Sequence, residues 1–126
     1  MSYLKKSEWV ILIGLLLLSF VPCLGGILRL AELRTGSGIM PDNPRIRSMP
    51  IPVIFHLVGA IPYCLIGAYQ FLPSFRRRYP QWHRKAGRLL VLAGLVAALS
   101  GLWMTHFYAF PEALQGKLLY VVRLFV

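Results

Sequence analysis

The chain has 126 residues, of which 57% are apolar and only 14% charged, and it carries a net charge of +10. A soluble domain has about 45–50% apolar and about 25% charged residues, so a water-soluble fold of this size is excluded. Nucleic-acid binding is excluded too, because its Lys and Arg would spread over one solvated face with interleaved aromatics, whereas here they fill the gaps between apolar runs.

The first apolar run extends from about Trp9 to Leu28, behind Lys5 and Lys6, and contains a leucine-rich core. About 20 residues suffice to cross roughly 30 Å of hydrocarbon as a helix. A cleaved signal peptide is the rival reading. Val21-Pro22-Cys23 suits neither small-residue cleavage nor a lipoprotein site, so an uncleaved anchor is preferred.

Arg29 to Pro50 follows, with Thr35-Gly36-Ser37-Gly38 and Pro41, Asp42, Asn43 and Pro44, and this density of Gly, Pro and Asx predicts a loop with turns. The second run spans about 51–72. Pro52 suits its first turn, and Pro62 is expected to kink it.

Between the second and third runs stands the strongest charge feature: Arg76, Arg77, Arg78, Arg84, Lys85 and Arg88, six cations without an acid, together with His83. A basic segment between two spans is held on the cytoplasmic side. Tyr79 and Trp82 beside it suggest an interfacial belt, with cations at the phosphates of anionic lipids. A docking site for an anionic partner is the alternative.

The third run covers about 89–107. Gly87, Gly94 and Gly101 recur every seven positions and predict a face that another helix can approach closely. The fourth stretch, Leu114 to Val126, reaches roughly 20 Å, short of a crossing, and is expected to be part of a longer helix cut short or an interfacial segment. Counting cations at each end puts the amino terminus in the cytoplasm, and Pro111-Glu112 to Lys117 outside. The expected architecture is one all-α, multi-pass domain over 1–126, with spans at about 9–28, 51–72 and 89–107 and a partial fourth at 114–126.

His56, near the outer end of the second run, and His106, near that of the third, are expected at similar depth if the two runs are antiparallel neighbours. Two neutral imidazoles facing each other could ligate the iron of haem b or another metal; isolated histidines that hydrogen-bond carbonyls are the plainer reading. His56, Gly59, Tyr63, Gly67 and Gln70 follow steps of three or four and so share a helix face. Such a stripe either lines a polar cavity or supplies interhelical hydrogen bonds. Arg123, inside the fourth stretch, would need a partner such as Tyr63 or Gln70 if that stretch inserts. Cys23 and Cys64 lie inside apolar runs, where a bond between them requires their spans to meet. The four acids are scattered and no phosphate loop, nucleophile elbow or zinc spacing occurs, so an enzyme is not expected.

His56-x-x-Gly59, Gln70-Phe71, the Arg76-Arg77-Arg78 run and Pro80-x-x-His83-Arg84-x-x-Gly87-Arg88 together resemble a bacterial family of multi-pass membrane proteins known by a domain-of-unknown-function label. The resemblance covers roughly 51–126. It implies a helical membrane fold and an inner-membrane location, and it brings no reaction. A redox subunit and a small transporter or partner subunit are the two activities left open by the residues themselves.

Overall fold

The computed structural model describes residues 3–108 and 116–125, with the side chain of Arg123 excepted. Among them there are six helices and no strand: α1 (Lys6–Thr35), α2 (Pro44–Ser48), α3 (Ile51–Gln70), α4 (Pro73–Arg78), α5 (Pro80–Phe107) and α6 (Lys117–Phe125). Helices α1, α3 and α5 are long and apolar enough to cross a membrane. The described residues are therefore all-α, with three helices able to span a membrane. The fourth stretch is helical over Lys117–Phe125, about 14 Å of axis. Leu114, Gln115 and Val126 lie outside the described residues, as do Pro111 and Glu112 and the side chain of Arg123.

Two helices outrun their hydropathy boundaries. α1 continues seven residues past Leu28, because Arg29 pairs with Glu32 at 2.5 Å and holds the next turn. It stops at Gly36, which takes a left-handed conformation (φ 71°) and donates its N–H to the Glu32 carbonyl. That φ suits a residue without Cβ. α5 begins nine residues before Leu89, at Pro80, whose fixed φ suits the first helical position. The expected basic loop is accordingly two helix ends joined by Tyr79: Arg76, Arg77 and Arg78 close α4, while Arg84, Lys85 and Arg88 occupy the first turns of α5. Hydropathy marks where lipid begins, not where backbone hydrogen bonding ends.

α3 is the central helix and packs against both α5 and α1. Large side chains pointing away from these seams, such as Leu17, Leu18 and Val21 of α1 and Leu89, Leu92 and Leu99 of α5, are exposed. In a bilayer they meet acyl chains. Antiparallel α1 and α3 are keyed at both ends. Leu12 joins Ala68 and Leu72 in a buried cluster, and Gly26 lies under Leu57 and Ile61.

Toward the Gly26 end of this pairing the Cys23 and Cys64 side chains come close enough to interact, and both thiols are free. Mild copper-phenanthroline oxidation is therefore expected to join them within one chain, blocking maleimide labelling of both thiols. Full labelling after oxidation would place the α1–α3 register elsewhere.

Candidate functional site

The polar stripe of α3 and the glycine heptad of α5 are two halves of one seam. A Cβ added at Gly101 would stand 3.7 Å from His56 Nδ1, one at Gly94 2.9 Å from the Tyr63 ring, and one at Gly87 3.7 Å from Gln70 Oε1. His56, Tyr63 and Gln70 are themselves seven apart, so stepping along α3 in one direction matches stepping along α5 in the other. Each polar side chain faces a residue with no side chain. The helices come nearest at Gly59, where a Cβ would lie 2.6 Å from the Ala93 carbonyl oxygen and 2.9 Å from the Ala97 nitrogen. The face formed by Gly87, Gly94 and Gly101 is thus filled by α3 of the same chain.

The three polar residues differ in how they are satisfied. His56 donates through Nδ1 to the Ala97 carbonyl at 2.8 Å. The same carbonyl also accepts the hydroxyl of Ser100, a buried residue that bonds Val96 O at 2.6 Å as well. Gln70 is the exception: its Nε2 is buried and has no hydrogen-bond partner. An unpaired buried donor costs about 1–3 kcal/mol. One turn before Gly87 on the same helix, His83 Nδ1 is likewise buried without a partner.

A cleft of about 730 Å³ opens beside this seam, between α1, α3 and α5. Tyr63, Gly67, Gln70 and Phe71 of α3 line it, with Gly87, Leu90, Val91 and Gly94 of α5 opposite and Leu15 and Ser19 of α1 behind. No lining residue is charged. The Ser19 hydroxyl is spent on its own helix, donating to Leu15 O at 2.8 Å. The site was half legible in sequence: the stripe and the heptad could each be read, but the cleft needs α1 standing off from α5, which no periodicity reports.

His106 stands apart from His56. It donates through Nδ1 to Leu102 O of its own helix at 2.8 Å, and its ring meets Tyr120 of α6 edge-on at 5.7 Å. Five residues beyond Gly101, it leaves α5 roughly 140° around the axis from the face that holds His56. The two imidazoles therefore do not face each other across the seam.

At the other end of the bundle sits an arrangement that sequence reading missed. The buried Glu8 carboxylate accepts from the backbone N–H of Lys5 at 2.9 Å and from that of Ser74 at 2.6 Å. It thus closes the start of its own helix and caps α4 across 66 residues. The Lys5-x-x-Glu8 spacing was the available signal, a side chain three residues into a helix reaching back to its start. Around this latch Phe75 contacts Tyr69, Tyr79 and Trp82 at ring distances of 5.6, 5.1 and 4.8 Å. The Arg78 guanidinium lies over Tyr3 at 5.0 Å. Arg76, Arg77, Arg84, Lys85 and Arg88 stay exposed around this aromatic cluster. At the opposite end the Tyr108 hydroxyl donates to the Met49 carbonyl, and burial raises its pKa, keeping it a donor.

A family model described as "Predicted membrane protein (DUF2306)" matches residues 53–126, which takes in α3 from Val53 onward, α4 to α6 and the His56-to-Gly101 seam of α3 and α5. No curated protein and no solved structure matches the chain.

Proposed function

The chain belongs to the DUF2306 family of predicted membrane proteins, and from that premise we propose that it is a binding subunit of the bacterial inner membrane. It crosses the bilayer several times from a cytoplasmic amino terminus and holds a small membrane-soluble molecule in its α1–α3–α5 cleft. The inner membrane is the bilayer in which helical spans reside, since bacterial outer-membrane proteins are closed barrels. The orientation rests on Lys5, Lys6 and the six cations of α4 and α5, which all lie at one end of the bundle.

The observation that carries the binding reading is the cleft itself. Its volume lies within the roughly 300–1,000 Å³ of small-molecule sites, and such sites pair apolar walls with a few placed polar groups. Here the walls are Leu, Val, Phe and Gly, and the placed group is the unpaired amide of Gln70.

Gly67 offers the test, because a Cβ there meets nothing within 4 Å and the position opens on the cleft. Gly67→Leu is expected to fill the cleft without disturbing the fold. Native mass spectrometry of the detergent-purified chain is expected to show a bound molecule in the natural protein and none in Gly67→Leu. The same spectra for both proteins would reject the cleft as a binding site.

A further inference from the structure

We propose that the occupant of the cleft is an isoprenoid quinone, with the Gln70 amide turned into the cleft so that Nε2 donates to a ring carbonyl, and with the tail running past Gly67 toward Ala60. The proposal deepens the binding-subunit reading and rests on it. It selects one chemical class from the molecules a bilayer supplies.

Charge makes the first selection. No Lys, Arg or His lines the cleft, so a phosphate or carboxylate inside it would have no counter-charge. Burying an uncompensated ion is costly. The cations nearest in sequence, Arg84, Lys85 and Arg88, are exposed and do not line the cleft. The head of the ligand is therefore neutral.

Hydrogen bonding makes the second. The unpaired group is an N–H donor, closed off from water while the amide lies against the seam. It belongs to a residue that lines the cleft, so the amide needs only to turn into the cleft to reach an acceptor there, whereas the Ser19 hydroxyl already donates to its own helix. What is missing is a deep acceptor. An alkyl tail alone leaves the amide unsatisfied, whereas a ring carbonyl completes it.

Shape makes the third. Gly67, where a Cβ would meet nothing within 4 Å, leaves a flat stretch of helix wall between Tyr63 and Phe71, a slot suited to a planar ring, and aromatic rings offset-stack favourably on one another. From Gln70 to Ala60 the cleft follows α3 for ten residues, about 15 Å, enough for a ring and the first isoprene units. The rest of the tail leaves through the open side into lipid.

The experiment uses the full chain in nanodiscs of phosphatidylethanolamine and phosphatidylglycerol, titrated with decylubiquinone and read by quenching of tryptophan fluorescence, Trp82 being one turn from the seam. Saturable quenching is expected for the natural chain. Gln70→Leu is expected to weaken binding at least tenfold, and Gly67→Leu to abolish saturation, while Gly38→Ala in the exposed loop changes nothing. Quenching that never saturates, or is equal in all four proteins, overturns the proposal. If a phospholipid copurifies and is expelled by Gly67→Leu while decylubiquinone fails to saturate, the quinone assignment falls and the binding subunit stands. If nothing copurifies and decylubiquinone does not saturate, both fall. Saturation that is unchanged in Gln70→Leu overturns the placement of the ring carbonyl.

Discussion

Gly59→Ala is expected to be the most damaging small substitution in the chain, costing about 2–3 kcal/mol or more, the upper part of the range for overpacking a tight contact. The added methyl would lie 2.6 Å from the Ala93 carbonyl oxygen and 2.9 Å from the Ala97 nitrogen. Both are backbone atoms of a helix and neither can rotate away. α3 and α5 must separate, and the His56–Ala97 bond at 2.8 Å lengthens with them. The other glycines form an internal scale. At Gly94 the obstacle is the Tyr63 ring at 2.9 Å, which can swing into the adjoining cleft, so Gly94→Ala is expected to cost about 1 kcal/mol. At Gly26 it is the tip of Leu57 at 2.8 Å, a flexible end. Gly87→Ala and Gly101→Ala meet only ordinary contacts at 3.7 Å, and their gain in helix propensity, up to about 1 kcal/mol, leaves them neutral or slightly stabilised. Thermal unfolding in detergent across the five variants checks this order. A Gly59→Ala protein that melts with Gly87→Ala would show that the helices do not meet as described.

That order also shows what the sequence could and could not convey. Spans, helical class and the polar face of α3 follow from composition and from steps of three and four, because the bilayer leaves the backbone few alternatives. The heptad of Gly87, Gly94 and Gly101 was legible for the same reason. Its partner was not: an isolated helix does not announce which face of which neighbour it meets. Only the pairing reveals that His56, Tyr63 and Gln70 are spaced to match it, and that the tightest contact belongs to Gly59, outside the heptad. The histidine pair failed to meet for a related reason. Depth in the membrane placed His56 and His106 together, but position around the helix axis, roughly 140° between His106 and Gly101, carries His106 toward α6. Glu8 escaped notice because its role lies in backbone donors, and a carboxylate that caps a distant helix leaves no periodic trace.

Glu8→Ala is expected to release the end of the bundle that carries the arginine cluster. The substitution removes both oxygens that accept from the Lys5 and Ser74 N–H groups, leaving the first turns of α1 and α4 uncapped at a site that is otherwise buried. α4 is six residues long, too short to persist without that support. Its last turn is Arg76-Arg77-Arg78, so loosening reads out directly as trypsin cleavage, expected to be on the order of tenfold faster in inside-out vesicles. Glu8→Gln keeps one accepting oxygen and should fall between. Glu32→Ala, which removes a buried carboxylate at the opposite end of α1, should leave cleavage at these arginines unchanged. Equal rates in Glu8→Ala and the natural chain would make the carboxylate a bystander. Right-side-out vesicles extend the same assay to topology, since the cytoplasmic orientation requires the arginines to be protected there. The latch and the orientation are thus tested on one arginine cluster: its cleavage rate reports the Glu8 cap, and the vesicle in which it is cut reports the side of the membrane.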